Sequence, residues 1–386
     1  MATRDANQRT AGNDAERRLT DPHAVEPAPS GEETPIPLGR HETHEEPHPP
    51  RARPSRPPRD RTQRSSDPGR PAREASSSDF TSERMLRAQA EAPQSGWRRI
   101  LFALTGGVLN LGPSPADVAR RELIARVKAP VSGCRRIAVV SRKGGVGKTT
   151  TTLMLGHTFA SLRGDRVIAL DGNPDAGSLA YRVRRETTNT IMSLLAHRQQ
   201  IARYADIRAY TSQAPTRLEV VAADDDPRIT DALLEQDFFT AVELLEVHYN
   251  LVCLDTGTGV LESAAKGILQ LADQIVVVTA PSLDSARTAS STLDWLEQNG
   301  HAGLVADSVA AINAVRPKSQ LELDRVEEHF ASRCRQVIRI PWDPHLETGA
   351  ESTLERLRPP TRNAYLELAA AVADGFSYPT HGGRTR

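Results

Sequence analysis

Lysine is scarce in this chain of 386 residues, with five among 49 basic side chains. Two of the five, Lys143 and Lys148, fall inside one glycine-rich octapeptide, so the shortage singles that stretch out. Aromatic residues are missing before Trp97 except for Phe80, while 14 of the 27 prolines lie there. Such a segment buries too little apolar area to offset the entropy of ordering it, so residues 1–94 are expected to form a disordered Pro/Arg-rich tail. Cysteine is sparse as well. Cys134, Cys253 and Cys334 are odd in number and far apart, with no CxxC pair. That argues against a disulfide framework or a zinc site and fits buried thiols in a reducing compartment. Net charge is absent too, at a formal value of zero, which argues against a strongly basic nucleic-acid binder but leaves room for a local patch. The first 25 residues hold no apolar core of a signal peptide, and no apolar run approaches the roughly 20 residues a membrane helix needs. A cytoplasmic chain without a membrane span is therefore expected.

What is present is organised in blocks. Within the tail, residues 26–46 carry six acids against Arg40, and residues 51–73 carry eight arginines against Asp60 and Asp67. The interleaved prolines favour polyproline II, usable as a spacer or as bait for a partner's groove. Residues 95–134 read as a helical transition. A short amphipathic run from Trp97 to Leu104 is expected to pack back on the core. Ser114-Pro115-Ala116-Asp117 reads as a helix start, with a hydroxyl cap, proline at N1 and an acid at N3, the helix running to about Val127. From 135 to 378, short aliphatic strands alternate with helical patterns, and 379–386 is a polar tail. Strands are expected at 136–141, 166–171, 217–222, 250–255, 274–280, 308–313 and 336–340. Helices are expected at 148–162, 228–246, 282–298 and 318–331, with Thr361 capping a last one that ends near Gly375. Continuous apolar strands covered on both faces imply an α/β fold, a doubly wound, mostly parallel sheet with right-handed crossovers.

Three motifs carry chemistry. The first, Lys143-Gly144-Gly145-Val146-Gly147-Lys148-Thr149-Thr150, follows a strand and opens a helix. Its glycines let successive N–H groups curl toward a phosphate, and the helix N-terminus adds positive partial charge. Lys148 would reach the β- and γ-phosphates of ATP, and the Thr149 hydroxyl would ligate Mg²⁺. The general pattern GxxxxGK[ST] fails at Arg142, where its first glycine belongs, whereas a variant with a second lysine, Lys143, matches. The second motif, Asp171-Gly172-Asn173-Pro174-Asp175, ends a strand, so Asp171 faces the ligand crevice and is placed to orient water or support the metal. The third is Leu251-Val252-Cys253-Leu254-Asp255 with Thr256-Gly257-Thr258-Gly259 after it. Asp255 is placed to hold Mg²⁺, through water, and Gly259 to offer an N–H to the γ-phosphate. Asn313 and the segment Ile340-Pro341-Trp342-Asp343 end two further strands on the same edge, where a base would sit.

Together these residues resemble the MinD/ParA family of deviant Walker A P-loop ATPases, over roughly 135–376. The resemblance implies ATP hydrolysis and a homodimer formed face to face when ATP is bound, with Lys143 touching the neighbour's nucleotide. It implies adenine contacts at Asn313 and Pro341. Asp171 matches the first acid of the family's Asp-x-Asp, and Asn173 replaces the second, which bears on the hydrolysis rate. A narrower resemblance rests on segment order: the Pro-rich tail, Gly96-Trp97-Arg98-Arg99, Thr105-Gly106-Gly107, Asn110 to Pro115, then the ATPase module. That order is similar to MinD-like proteins accompanying ESX (type VII) secretion systems, which makes the secretion machinery an expected partner of the tail. Two rival readings stay open. One is a ParA-like partition ATPase binding DNA non-specifically through Arg356, Arg358 and Arg362. The other is a nucleotide-binding scaffold with little turnover.

Overall fold

The computed structural model describes residues 96–106, 108–172, 177–224, 235–257, 263–316 and 321–377, with backbone only at 96–98 and 263–266. The chain divides into residues 1–77 and 78–386, and every described residue belongs to the second unit. The expected tails 1–94 and 379–386 lie outside the described residues.

Eight strands form one sheet: β1 (Arg135–Val140), β2 (Val167–Gly172), β3 (Ser212–Gln213), β4 (Glu219–Val221), β5 (Leu251–Thr256), β6 (Gln274–Thr279), β7 (Val309–Val315) and β8 (Gln336–Pro341). Their order is β3-β4-β2-β5-β1-β6-β7-β8, parallel throughout except for the β3–β4 edge. All seven expected strands are present. The short antiparallel β3 was not foreseen, because two residues carry no periodicity. β4 starts later than expected because Arg217 is left-handed, at φ 74°. Its guanidinium closes the end of the preceding long helix, donating to Ala160 O and Arg163 O at 2.9 and 2.8 Å.

Helices cover both faces. The alternation in β1 shows why: Ile137 and Val139 enter one core, Ala138 and Val140 the other. The helices are α1 (Gly96–Leu104), α2 (Pro115–Val127), α3 (Lys148–Leu162), α4 (Ile191–Ala196), α5 (Tyr204–Ile207), α6 (Glu235–Glu246), α7 (Ser263–Leu271), α8 (Leu283–Gln298), α9 (Ala302–Ala306), α10 (Leu323–Ala331), α11 (Pro344–Glu347) and α12 (Pro359–Asp374). α3 is buried along nearly its whole length, and α12 buries Tyr365, Leu366 and Leu368–Ala373 beside it. Buried hydroxyls of α3 bond back to its own carbonyls, Thr152 to Lys148 O at 3.1 Å and Thr158 to Met154 O at 2.7 Å.

α2 begins as expected. Ser114 Oγ accepts from Asp117 N at 3.1 Å, and Asp117 Oδ2 accepts from Ser114 N at 3.1 Å, a reciprocal cap worth about 1 kcal/mol. α12 corrects an expectation. It opens at Pro359 with Arg358 in the cap position, and Thr361 lies buried inside it. Two prolines fit the first turn because their missing N–H groups have no acceptor there anyway. α1 corrects another. Ile100 and Leu104 are exposed, and no residue of α1 joins either core among the described residues. α7 went unforeseen although topology demands it: β5 and β6 run parallel on either side of β1, and joining them needs a crossover. The starts of the helices expected from 228 and 318 lie partly outside the described residues.

Candidate functional site

β1 sits in the middle of the sheet. The chain leaves it toward β2 on one side and later returns to β6 on the other. This reversal opens a crevice at the strands' carboxyl ends, where α/β sheets bind ligands. A cavity there is lined by Gly144–Thr150, Ser178, Arg182, Thr256, Asn313, Pro341 and Trp342, among others.

The loop after β1 takes the curled form that its glycines permit. Gly145 and Gly147 lie at φ 74° and 92°. Gly147 is doubly constrained, since a Cβ there would fall 2.5 Å from Asn313 Nδ2. It is also the cap position of α3, which carries no side-chain cap and no acid in its first turn. The first amides of α3 are therefore free of an internal anion, and the helix end presents positive potential. Lys148 and Thr150 are buried and Thr149 half-buried.

Asn313 was expected at the base. It lines the cavity, and its amide nitrogen donates to Val146 O, Gly147 O and Thr151 Oγ1 at 3.1, 3.3 and 2.9 Å, tethering the phosphate loop. The next residue, Ala314, is left-handed at φ 55°, and the β7–β8 register slips between Ile312 and Val315. This bulge sends Arg316 onto Trp342, its guanidinium carbon 4.5 Å from the ring centroid. Pro341 and Trp342 form the neighbouring wall of the cavity. Asp343 caps α11 and accepts from Arg358 N at 2.8 Å, so its role is structural.

The two strand-end acids meet. β2 and β5 pair Asp171 with Asp255 in register, and both are buried. Asp255 Oδ1 accepts from Thr152 Oγ1 at 3.3 Å, while Oδ2 is buried without a hydrogen-bond partner among the described residues. Burial pushes this carboxyl up to about 6, opposed by the Thr149 hydroxyl, Lys148, Thr152 and Arg182. A buried, orphaned carboxylate oxygen beside the Thr149 hydroxyl fits a magnesium ion, which needs only one or two protein oxygens when phosphates and water supply the rest. Asp171 Oδ2 accepts from Leu179 N at 2.9 Å, and Gly177 passes so close that a Cβ there would overlap the carboxylate. Asp171 thereby anchors the segment that carries Ser178 and Arg182.

Lys143 is not in the cavity. Its ammonium pairs at the surface with Asp284 in the first turn of α8. Asn173 and Gly259 lie outside the described residues. Of the arginines considered for DNA, Arg362 is spent on backbone, donating to Glu355 O and Leu357 O, and Arg358 approaches the Trp342 ring, while Arg356 is exposed. Sequence reasoning missed Arg182 and Arg316. Each lies beyond a motif by several residues, and only the fold carries it back to the cavity. No described helix is long and apolar enough to cross a membrane.

Comparison with known proteins agrees with this geometry. An AAA domain family matches residues 134–298. The ESX-1 secretion-associated protein EspI of Mycobacterium tuberculosis is 39% identical over 286 residues, which is 73% of this chain and 42% of that protein. The chain thus spans less than half the length of this relative. The septum site-determining protein MinD of Synechocystis is 28% identical over 190 residues, 48% of this chain and 66% of that one. Among solved structures, a ParA family ATPase from Chlorobium tepidum superposes with a TM-score of 0.54 at 16% identity, over 62% of this chain and 98% of that one. MinD complexed with Mg-ADP from Pyrococcus horikoshii gives 0.51 at 19% identity, over 61% and 94%. The chain has a MinD/ParA-like fold, and the region that resembles the AAA domain family holds the phosphate loop and both strand-end acids.

Proposed function

We propose that the chain binds ATP with Mg²⁺, hydrolyses it, and uses the bound nucleotide to pair face to face with a second copy. The observation that carries the nucleotide is the uncapped, acid-free start of α3 behind a left-handed glycine, next to an orphaned buried carboxylate oxygen. Pairing is supported by Lys143. An intramolecular phosphate site has no need of a second lysine, and this one stands outside the cavity, paired among the described residues with a surface acid. To reach a neighbour's nucleotide it must leave Asp284. The likeness to EspI supports service in ESX-type secretion, with the Pro/Arg-rich segment 1–94 as the part that engages the machinery.

Sedimentation of the full chain with and without Mg-ATP tests the pairing. Dimer is expected with ATP in the wild type and absent in Lys143→Ala and Lys148→Ala. A Lys143→Ala protein that dimerises and hydrolyses normally sinks the switch. A second reading, a nucleotide-holding scaffold with little turnover, draws support from Asp171, whose Oδ2 is engaged by backbone N–H. Single-turnover hydrolysis equal to that of Lys148→Ala would select it.

A further inference from the structure

We infer that Arg182 is a phosphate-binding residue of this site, gripping the α-phosphate of the nucleotide from outside the glycine loop. The inference rests on the nucleotide reading above and deepens it.

Arg182 lies between β2 and α4, far in sequence from the loop, yet it lines the same cavity. Its Nη1 donates to Thr150 Oγ1 at 3.0 Å. Its Nε is buried without a hydrogen-bond partner among the described residues. Burial works against its charge and outweighs the favourable pull of Asp255 and Asp171 through space. A guanidinium with an idle Nε edge in a cavity walled by loop amides is a fork awaiting an anion. Leaving such a donor unpaired is costly, and an incoming phosphate oxygen removes that cost.

The order of residues in the first turn of α3 identifies the phosphate. Lys148 reaches the β- and γ-phosphates and Thr149 faces the metal, so Thr150 comes next, on the α side. Arg182 is bonded to Thr150. It is also held in place before any ligand arrives. Leu179 N is fixed to Asp171 Oδ2 at 2.9 Å, and Arg182 O accepts from Ser352 N at 3.0 Å. Gly349, at φ 66°, brings its loop over the guanidinium, and a Cβ there would sit 3.8 Å from Nη2. The site therefore spends little ordering this side chain.

The test is calorimetric titration of ATP and ADP, each with Mg²⁺, into the full chain and into Arg182→Ala, Arg182→Gln and Arg182→Lys. An α-phosphate ligand predicts losses of about tenfold or more, equal for ATP and ADP. Lysine should recover only part, since it keeps the charge and lacks the fork. The rise in unfolding midpoint that nucleotide brings should shrink in the variants, measured against each variant's own midpoint without nucleotide. Unchanged affinities in Arg182→Ala, with both nucleotides lost in Lys148→Ala, overturn the assignment and leave the nucleotide reading standing. A loss confined to ATP overturns it too, because the residue would then act at the γ-phosphate. If the wild type binds neither nucleotide, the nucleotide reading itself falls.

Discussion

Replacing Asn313 by alanine separates two roles that its position at the end of β7 leaves open. A base contact needs the carboxamide free at the cavity wall. A tether needs it spent on the loop. Its Nδ2 lies 3.1, 3.3 and 2.9 Å from Val146 O, Gly147 O and Thr151 Oγ1. An amide carries two protons, so two of these contacts are full bonds at any moment. At about 1 kcal/mol net for each, alanine removes about 2 kcal/mol of the loop's preference for its curled form. If that form is the one that binds phosphates, affinity falls by about 30-fold. The loss should be the same for ATP, GTP and inorganic triphosphate, because the loop grips what they share. Calorimetric titration of all three into the wild type and Asn313→Ala reads this directly. Thr151→Val, which removes only one acceptor, should cost less than Asn313→Ala for every ligand. A loss restricted to ATP, with triphosphate binding unchanged, refutes the tether and restores the base contact.

Other perturbations probe the frame and the metal. Burial lowers His157 to about 4, below its ordinary 6.5. The unfolded chain then takes up a proton that the folded one refuses, so stability is full above pH 6.5 and falls toward pH 4, by at most about 3 kcal/mol. Urea unfolding from pH 7.5 to 4.5 should show a slope that flattens in His157→Gln. Glu219 accepts from Tyr249 Oη at 2.5 Å and Thr211 Oγ1 at 2.9 Å and is also met by the Tyr204 hydroxyl. Glu219→Gln turns an N–H₂ toward these donors and should cost about 2–3 kcal/mol in urea unfolding. Nucleotide affinity of the folded protein should not move, because Glu219 does not line the cavity. Chelation of Mg²⁺ should weaken ATP binding by about tenfold or more in the same titrations, and Asp255→Asn should abolish most of that metal dependence.

What could be read from the chain and what could not divide along a physical line. The seven expected strands announced themselves because most are short aliphatic runs, and three of their carboxyl ends carry Asp171, Asp255 and Asn313 at positions a parallel sheet turns toward its ligand. The loop at 143–150 was legible because glycines, lysine and threonine serve one geometry at fixed spacing. Arg182 was not legible. It belongs to no motif, and its value comes from Asp171 holding the segment before it and from Ser352 holding its own carbonyl. Asn313 was found as a residue, but its hold on the phosphate loop was not foreseen, because that contact joins two segments that no local pattern brings together. Lys143 was judged by what a second copy would need, and a single chain shows instead where it rests, on Asp284. α1 shows the converse limit: its amphipathic pattern foretold a helix, yet pattern alone did not foretell that Ile100 and Leu104 would stay exposed.

The charges around the loop also explain why metal and nucleotide should bind as a unit. Lys148 and Arg182 supply positive charge at the cavity, while Asp171 and Asp255 lie buried in register behind it. In this low-dielectric setting an ion added alone is expensive unless its partner charge comes with it. A magnesium ion at Asp255 Oδ2 without phosphates adds two positive charges close to Lys148. A polyphosphate without magnesium brings negative charge toward two buried carboxylates. Arriving together, each removes the penalty the other meets. Linkage then requires symmetry: if Mg²⁺ raises ATP affinity by a given factor, ATP raises Mg²⁺ affinity by the same factor. Titrating Mg²⁺ in the presence and absence of a saturating non-hydrolysable ATP analogue, and the analogue with and without Mg²⁺, must give matching ratios after correction for metal held by free nucleotide. In Asp255→Asn both ratios should collapse toward one together. If both ratios stay at their wild-type values in Asp255→Asn, the cation is held elsewhere and Asp255 is not its anchor.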